Sequence, residues 1–289
     1  MKGRVVEVRR FPVKSMLGEM PREVTVGESG VAGDRAHAVV DQETGKVASA
    51  KMPRRWGRLL AFSARYLDLP EAGAPVEVRL PDGAALRSDA PDFDARLSTA
   101  VGRTVRMMAA PEPDAGYEDE WPDVEGIAPQ EFIDSTNTST SDDGLAVSTL
   151  SVGLMAPGTF QDLAPITILT TAALREVERL TPESRWDPRR FRSNFLIETD
   201  GTGFIENDWV GRQLRIGEVV VQVPAPIPRC VMTTLPQEDL PADREILKTV
   251  ARHNRVDAAG MGRFACLGAY GAVMQGGQVS IGDDVELLL

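Results

Sequence analysis

Hydrophobic and polar residues alternate along much of this chain with the two-residue period of half-buried β-strands. The clearest case is Val219, Val221 and Val223, which are followed by prolines at positions 224, 226 and 228. Each proline fixes its own φ and restricts the residue before it, so the chain after this strand should remain extended. The pattern therefore predicts a strand and a stiff arm that hold Arg229 and Cys230 in a defined place.

Strand patterns recur from end to end, whereas helical periodicity is rare. The predicted strands are 3–13, 23–26, 36–40, 76–80, 84–87, 105–108, 166–169, 195–198 and part of 209–216, with a C-terminal hairpin formed by 269–274 and 278–288. Helices are predicted at 92–101, with a cap glycine at 102, at 174–180 after the N-cap candidates Thr170 and Thr171, and at 243–253. Many short strands and few helices favour a mainly β, barrel-based architecture with some α+β elements.

The segment 111–160 has a different character. No Lys or Arg occurs between Met107 and Leu174, but twelve Asp and Glu do, and these more than account for the net charge of −11. The segment is also rich in Ser, Thr, Gly and Pro, so we predict an acidic insert or linker that runs over the surface and is partly mobile. Phe132 and Ile133 are candidates for docking it on the body. A solvated loop without a role and a lid over a site both remain open.

Composition and charge narrow the class of protein. The length of 289 residues, with 42% hydrophobic and 26% charged residues, is typical of a soluble globular protein with one large or two moderate domains. No apolar run approaches a membrane span, no signal-peptide pattern is present, and two cysteines do not make a disulfide framework, so we expect a cytoplasmic protein. Its acidity should repel nucleic acid and anionic membranes, so an anionic ligand would need a basic pocket of its own.

Several familiar motifs are missing or out of context. Gly260–Ala265 matches a dinucleotide-binding fingerprint, but it follows no apolar strand and opens no clear helix. The chain contains neither a phosphate-loop Gly-Lys-Ser/Thr nor a nucleophile-elbow serine. His37, His253 and the two cysteines form no close ligand pair for zinc. We interpret both histidines as structural and Cys266 as core packing.

Four short basic or polar clusters lie at the ends of predicted strands. They are Lys14-Ser15, Gly33-Asp34-Arg35, Arg192-Ser193-Asn194 and Arg229-Cys230. If the strands form a barrel, the clusters converge into a set suited to a phosphate and a polar heterocycle. The alternative is a scatter of solvated cations. The guanidinium of Arg229 is expected to favour the thiolate of Cys230, a form that attacks electrophiles or binds soft metals, although a free cysteine can also be a small buried hydrophobe.

These motifs together resemble a known family. PVKSMLGE (12–19) and GVAGDRAHAVVD (30–41) resemble the N-terminal β-barrel module that accompanies MOSC domains. The segments RFRSNF (190–195), NDWVGRQLRIGEV (207–219), PRCVMTT (228–234) and VSIGDDVEL (279–287) resemble the MOSC domain itself, the C-terminal domain of molybdenum-cofactor sulfurases, shared with amidoxime-reducing components. The resemblance implies an N-terminal module at 1–110 packed on a MOSC β-barrel at 161–289, with the acidic insert at 111–160 between them.

The resemblance also implies a cofactor and its contacts. Cys230 would be the catalytic ligand to molybdenum in a molybdopterin-type molybdenum cofactor. The residues implied to contact the cofactor's phosphate and pterin are Lys14, Ser15, Arg35, Thr170, Thr171, Arg192, Ser193, Asn194 and Arg229. Such a centre exchanges oxygen atoms in two-electron steps and electrons with a separate protein.

The implied activity is reduction of N-hydroxylated or N-oxide small molecules. Electrons would come from an external ferredoxin, flavin or haem protein, because a [2Fe–2S] cluster needs four cysteines and only Cys266 is left over. Neither nucleic acid nor a membrane is an expected partner. Two alternatives remain: a sulfur-carrier or cofactor-handling protein with a persulfide on Cys230, and a scaffold without metal.

Overall fold

The computed structural model of the protein describes residues 2–71 and 73–288, and β-strands dominate them. The strands are β1 (Lys2–Val8), β2 (Glu23–Gly27), β3 (Gly30–Val31), β4 (Ala38–Asp41), β5 (Ser63–Tyr66), β6 (Val76–Arg79), β7 (Ala85–Arg87), β8 (Val105–Met108), β9 (Gly116–Glu120), β10 (Asn137–Thr140), β11 (Ala146–Ser151), β12 (Ile166–Thr170), β13 (Phe195–Thr199), β14 (Gln213–Ile216), β15 (Val219–Gln222), β16 (Pro226–Pro228), β17 (Arg255–Asp257), β18 (Arg263–Gln275), β19 (Gly277–Ser280) and β20 (Asp284–Leu287). The α-helices are α1 (Pro53–Trp56), α2 (Phe93–Val101), α3 (Gln130–Thr136), α4 (Thr171–Leu180) and α5 (Glu245–His253).

Seven strands close into a barrel. They pair in the order β12-β13-β1-β20-β14-β15-β18, and β18 returns to β12. Every pairing is antiparallel except the parallel one between β12 and β13. The interior is filled by fully buried apolar side chains, among them Val5, Ile168 and Val221. The prediction of a mainly β, barrel-based fold is confirmed.

The first strand belongs to this C-terminal barrel. β1 lies between β13 and β20, so the chain begins in the barrel and then leaves it. The predicted division into 1–110 and 161–289 stays a prediction, but it assigns β1 to the N-terminal module although this strand pairs within the barrel. The rest of the N-terminal part contains the sheets β5-β6-β7 and β4-β8 around a second core that includes Trp56, Leu97 and Val105.

Local signals in the N-terminal part are confirmed. The predicted hairpin at 76–87 is the pair β6–β7. Helix α2 covers the predicted stretch and ends at Gly102, which has a φ of 81° and donates its N–H to the carbonyl of Ser98. Glycine reaches this left-handed conformation without the steric cost that other residues incur.

The acidic segment is folded, and the expectation of an irregular excursion is wrong. It forms a three-stranded sheet in the order β10-β11-β9, with α3 before β10. The Ser/Thr-rich stretch 135–141 includes strand β10, because β-branched threonines suit a strand even where few apolar residues mark it. As proposed, Phe132 and Ile133 dock the segment: Phe132 packs edge-on against Phe264, and Ile133 packs with Leu247.

The predicted C-terminal hairpin is also wrong. Strand β18 does not pair with β19; instead β19 pairs with β2, and β20 pairs with β1 and β14. A Cβ atom at Gly276 would lie 2.6 Å from the carbonyl oxygen of Val26. Glycine therefore lets the backbone pass close to β2 and leave β18 at this point. Over the described residues, no helix is both long enough and apolar enough to cross a membrane.

Candidate functional site

A solvent-open cavity of about 750 Å³ collects residues from all four predicted clusters. The predicted residues that line it are Lys14, Ser15, Arg35, Arg192, Arg229 and Cys230. They reach it from the turn after the bridge of Val13 to His37, from the turn before β4, from the approach to β13 and from the end of β16. The structure therefore brings together six of the ten predicted residues.

The backbone at this cavity is held in an unusual conformation. Ser15, Arg35 and Arg192 have φ values of 64°, 47° and 52°. Only two other non-glycine residues in the described part of the chain have positive φ, Glu238 and Ala259. Such a conformation costs an L-residue roughly 1–2 kcal/mol. Backbone strain concentrated at one cavity is characteristic of a functional site.

Hydrogen bonds and one aromatic ring hold this strained backbone. Arg35 donates its N–H to the carbonyl of Phe11 at 2.6 Å, and Phe11 donates its own N–H to Asp34 at 2.7 Å. The guanidinium carbons of Arg35 and Arg192 lie 4.6 and 4.3 Å from the centre of the Phe11 ring. One phenyl ring thus places two like charges side by side.

The guanidinium of Arg192 is buried, and no carboxylate of the described residues forms a hydrogen bond with it. Its Nη1 donates to the carbonyl of Met16 at 2.6 Å, and its own carbonyl accepts from Arg35 at 2.9 Å. Burial lowers the pKa of Arg192 to about 9, and the neighbouring Arg35 contributes in the same direction. The site holds a cation that an incoming anion would stabilise.

Arg229 is held in the same manner. It donates from Nε to the carbonyl of Leu267 at 2.7 Å and from Nη1 to that of Phe191 at 2.9 Å. Its buried Nη2 has no hydrogen-bond partner among the described residues. Burial lowers the pKa of Arg229 to about 10. A buried donor without a partner is costly and indicates a place for an acceptor.

Two lysines and two carboxylates form a buried network at one side of the cavity. Asp162 pairs with both Lys14 and Lys51, and Lys51 also contacts Asp119 at 2.9 Å and the hydroxyl of Tyr117 at 3.2 Å. Burial lowers the pKa of Lys14. Burial would do the same to Lys51, but Asp119 and Asp162 hold its pKa well above the ordinary value.

Sequence reasoning missed this network. Lys51 ends the apolar run 47–50, and a lone lysine there was the available signal. Tyr117, Asp119 and Asp162 lie in or beside the acidic segment, where they look like any other surface residue. The pairing of β9 with β11 and the bridge from Val47 to Tyr117 bring Tyr117 and Asp119 to the network, and Asp162 joins it through its contacts with Lys14 and Lys51.

Cys230 is half-buried between this network and the arginines. Burial raises the pKa of its thiol, and the ammonium of Lys51 opposes that rise only in part. The expectation that the thiolate is favoured beside Arg229 is wrong, because the effect of burial on the thiol outweighs the attraction of the nearby cations. Among the described residues, no three His, Cys, Asp or Glu side chains form a group that could hold a metal ion.

The two predicted threonines do not line the cavity. Thr170 caps helix α4: its Oγ1 accepts from the N–H of Ala173 at 3.1 Å and donates to Glu206 at 2.9 Å. The hydroxyl of Thr171 accepts from Arg175. Both side chains are engaged within the protein, so the expectation that their hydroxyls contact a cofactor is not supported.

Asn194 and Ser193 also lie outside the cavity lining. Asn194 is fully buried; its Oδ1 accepts from the N–H and hydroxyl of Thr167 at 3.0 and 2.9 Å, and its Nδ2 donates to the carbonyl of Arg9. It joins β12 to the start of β13, so its side chain has structural partners within the protein, and its predicted contact with a cofactor stays a prediction. The hydroxyl of Ser193 is buried without a hydrogen-bond partner among the described residues.

The interpretations of the other polar candidates are consistent with the structure. Cys266 is fully buried in a cluster with Ala258 and Phe264, and burial raises its pKa to about 12. His253 is the last residue of α5, where a helix dipole favours a cation. His37 is buried beside Tyr66 and does not line the cavity that contains Cys230, which we call the cationic cavity.

Fold and cavity together define a class: a two-part β protein built on a closed barrel, with a cationic pocket and a cysteine where the parts meet. This chain belongs to the MOSC-domain family. The MOSC domain model matches residues 157–286, and the model of the MOSC N-terminal beta barrel domain matches residues 2–118. The resemblance inferred from the motifs is therefore confirmed.

Individual relatives are more distant. The chain is 28% identical to the mitochondrial amidoxime-reducing component 1 of Mus musculus over 133 residues, which are 45% of this chain and 38% of that protein. It is 36% identical to the molybdenum cofactor sulfurase of Drosophila grimshawi over 115 residues, 38% of this chain and 14% of that protein. The matched region thus spans less than half of either relative.

Solved structures with a similar arrangement include two bacterial proteins. The YUAD protein of Bacillus subtilis aligns with 99% of this chain and 96% of its own, at a TM-score of 0.47 and 10% identity. YiiM of Geobacillus stearothermophilus aligns with 44% of this chain and 55% of its own, at a TM-score of 0.30 and 20% identity.

Proposed function

We propose that the protein binds a molybdenum cofactor of the molybdopterin type in the cationic cavity and uses it to reduce N-hydroxylated or N-oxide small molecules. The names of its relatives support this class, since one is an amidoxime-reducing component and the other a molybdenum cofactor sulfurase. Electrons would come from a separate ferredoxin, flavin or haem protein. We place the activity in the cytoplasm, without nucleic acid or a membrane as partner.

One observation carries the proposal: the cavity is strongly cationic, and three of its six cations form no ion pair with the described residues, whereas Lys14, Lys51 and Arg35 pair with carboxylates. Its lining contains six cations and one carboxylate: Lys14, Arg35, Lys51, Arg190, Arg192 and Arg229, with Asp162. The guanidinium groups of Arg190, Arg192 and Arg229 donate to backbone carbonyls, which orient them but leave the charge in place. In a chain of net charge −11, such a cavity is suited to an anion such as a phosphate ester.

The donor set fits the cofactor. A phosphate has several acceptor oxygens, and the unpartnered Nη2 of Arg229 is one donor ready for such an acceptor. The guanidinium groups of Arg35 and Arg192 both lie against the Phe11 ring, and Arg35 is additionally held by its ion pair with Asp34. The thiol of Cys230 lines the same cavity and is a soft ligand of the kind that molybdenum accepts.

Each protein group has a definite task. The cofactor, when bound, supplies two-electron oxygen-atom transfer. Arg35, Arg192 and Arg229 orient it, and Cys230 would ligate the metal as thiolate after losing its proton. Reduction breaks the N–O bond of the substrate, consumes two electrons from the external donor and two protons, and releases water. Lys51 and Tyr117 hold protons beside Cys230 for this purpose.

Elemental analysis of molybdenum, together with fluorescence of the oxidised pterin, tests the proposal after expression in a host that makes the cofactor. We expect near-stoichiometric metal and pterin in the native protein, pterin with little metal in Cys230→Ala, and neither in the double variant Arg192→Gln/Arg229→Gln. Cys266→Ala is the matched control, because this cysteine lies away from the cavity, and it should retain both.

Absence of metal and pterin from the native protein, under conditions that load a known relative, would overturn the proposal. Persulfide on Cys230 would then be sought by mass spectrometry, because the sulfur-carrier alternative needs the cysteine but not the arginines. Loading that is retained by the double arginine variant would also contradict the assignment of the cavity.

A further inference from the structure

A second cavity also borders Cys230. It has a volume of about 880 Å³, and the residues that it shares with the cationic cavity are Lys51, Asp162, Leu163, Pro228, Arg229, Cys230 and Tyr270. Its remaining walls are largely apolar, and the side chains that define them are Trp121, Phe132, Leu150, Leu154, Met261 and Phe264. We call this space the apolar cavity. Cys230 is thus flanked by two spaces of opposite chemistry.

The apolar wall is built mostly by the acidic segment. Trp121, Phe132, Leu150 and Leu154 lie between residues 119 and 156, a stretch that neither family model matches. Phe132 stands edge-on to Trp121 and to Phe264, with ring centres 6.0 and 5.1 Å apart. These edge-to-face contacts fix the rings. The outer surface of the segment is acidic, whereas its inner surface presents hydrocarbon to Cys230.

The mouth of the apolar cavity leaves large apolar side chains in water. Leu154 is 65% exposed and Met261 is 43% exposed. Exposed apolar side chains beside a preformed apolar cavity are typical of a ligand site. Burying them against a ligand would recover hydrophobic free energy that the protein alone leaves unused.

The charges around the apolar cavity select against anions. Its charged groups are the cations Lys51 and Arg229 and the carboxylates Asp119 and Asp162, so the lining carries no net charge, and Lys51 already pairs with both carboxylates. No Lys or Arg occurs in the acidic segment to attract a negative ligand at the mouth. A carboxylate in the apolar part would lose hydration without gaining a counter-ion there.

We infer that the apolar cavity holds the organic part of the substrate and that it selects uncharged molecules with an aromatic or bulky aliphatic group. This inference rests on the proposed function. The apolar group lies against Trp121 and Phe132, and the polar group that is reduced points inward to Cys230 and Lys51. The acidic segment therefore forms the wall that determines substrate specificity. Of the two alternatives for this segment, a lid over a site is favoured over a solvated loop without a role.

Isothermal titration calorimetry of the whole 289-residue chain with three probes tests the inference. The probes are biphenyl-4-carboxamide, which is neutral and apolar, biphenyl-4-carboxylate, which has the same shape with a negative charge, and acetamide, which lacks the apolar group. We expect the neutral biphenyl to bind at least about tenfold more tightly than either of the others. Equal affinity for the neutral and anionic biphenyls would overturn the inference, as would failure of the neutral biphenyl to bind.

Matched variants locate the binding site. Leu154→Asp places a carboxylate at the mouth, and because Leu154 is 65% exposed the variant should fold. It should bind the neutral biphenyl about tenfold more weakly. Leu69→Asp is the control, since Leu69 is 76% exposed and lies outside the apolar cavity. Affinity that is unchanged in Leu154→Asp, or reduced equally in both variants, would contradict the assignment.

The titration separates this inference from the proposed function, because binding needs neither metal nor electrons. If the protein binds biphenyl-4-carboxamide selectively but never acquires molybdenum, the inference about the apolar cavity stands and the proposed reductase function fails. If the protein carries the cofactor but does not discriminate among the probes, the proposed function stands and the inference fails.

Discussion

The two cavities that meet at Cys230 are built on opposite principles. The cationic cavity is made of turns with strained backbone, and its buried Arg192 and Arg229 are oriented by carbonyls without being neutralised. The apolar cavity is made largely of packed aromatic and aliphatic side chains, and apart from Arg229, which lines both cavities, its charges are paired. Binding of an anion should therefore stabilise the cationic cavity, whereas the apolar cavity is already well packed and should select its ligand by shape. Substitutions in the two cavities should therefore differ in their effects on stability, ligand affinity and pH dependence.

Lys51 lies at the boundary between the cavities, and its removal should have the largest effect. Lys51→Met leaves Asp119 and Asp162 without their shared cation. Removing one partner of a buried ion pair costs about 3–5 kcal/mol. We expect a loss of this size in the free energy of urea unfolding. Arg54→Met is the control, because the pair of Arg54 with Asp143 is exposed and should contribute less than about 1 kcal/mol.

A double variant sharpens this prediction. In Lys51→Met/Asp119→Asn the negative charge of Asp119, which Lys51→Met leaves without its cation, is removed as well, so part of the lost stability should return. Equal stabilities for the single and double variants would show that Lys51 acts through packing alone.

Removal of a cation from the cationic cavity should have the opposite character. Arg192 is buried as a cation, and its Nη1 donates to a neutral carbonyl, so Arg192→Gln should leave the unfolding free energy of the cofactor-free protein unchanged or raise it. Its affinity for inorganic phosphate should fall about tenfold or more, which corresponds to one lost charge-assisted contact. The phosphate-dependent rise in melting temperature measures this affinity.

Asn194→Ala is the matched contrast. It removes hydrogen bonds to Thr167 and Arg9 inside the protein and should cost about 1–3 kcal/mol of stability without weakening phosphate binding in the folded protein. A stability loss in Arg192→Gln that equals the loss in Asn194→Ala would contradict the idea of an uncompensated cation.

The pH dependence of phosphate binding should report the same cation. Because burial lowers the pKa of Arg192 to about 9, the free protein loses this charge as the pH rises through that value. Phosphate binds the charged form, so its affinity should fall several-fold between pH 8 and pH 10, where phosphate itself stays a dianion. Arg192→Gln should show a smaller decline over this interval. An affinity that stays constant to pH 10 would rule out this titration.

The contribution of Arg192 to stability follows from the same shift. Its folded-state pKa lies below that of the unfolded chain, so the unfolded state binds more protons between the two values. Below pH 9 the charged group destabilises the fold, and above it this cost is relieved. The corresponding part of the unfolding free energy therefore rises with pH in the native protein and not in Arg192→Gln.

The sequence predicts the cationic cavity much better than the apolar cavity, for a physical reason. Lys14, Arg35, Arg192 and Cys230 occur in short motifs beside regular strands, so the residue types and their positions are both visible along the chain. Asn194 is in the same motif, but only the register of β12 and β13 shows that it faces the protein interior. A motif identifies the turn and not the direction of each side chain.

The apolar cavity depends on contacts that no local pattern contains. Phe132 and Phe264 are far apart in the sequence and meet only because the acidic segment folds as a sheet against β18. Its strands are short, and the threonine-rich β10 is entirely exposed. Polar composition therefore indicated a loop where backbone pairing forms a sheet. The barrel was easier to predict because Val219, Val221 and Val223 are buried with the periodicity of a strand.

Alkylation of Cys230 gives the smallest expected effect, and it probes the boundary directly. Burial raises the pKa of this thiol, and Lys51 opposes that rise. Since the thiolate is the reactive form, iodoacetamide should modify Cys230 in the Cys266→Ala protein a few-fold more slowly at pH 7.5 than a free cysteine, whose pKa is about 8.5. Adding Lys51→Met should slow it further, because the thiolate then loses its nearest cation. Alkylation rates measured against pH by mass spectrometry give the midpoint of the thiol titration. A midpoint at or below that of free cysteine would mean that the arginines lower the pKa of the thiol. A midpoint above it would mean that the cationic cavity attracts its ligand by charge while leaving the cysteine protonated, so that deprotonation of Cys230 accompanies metal binding.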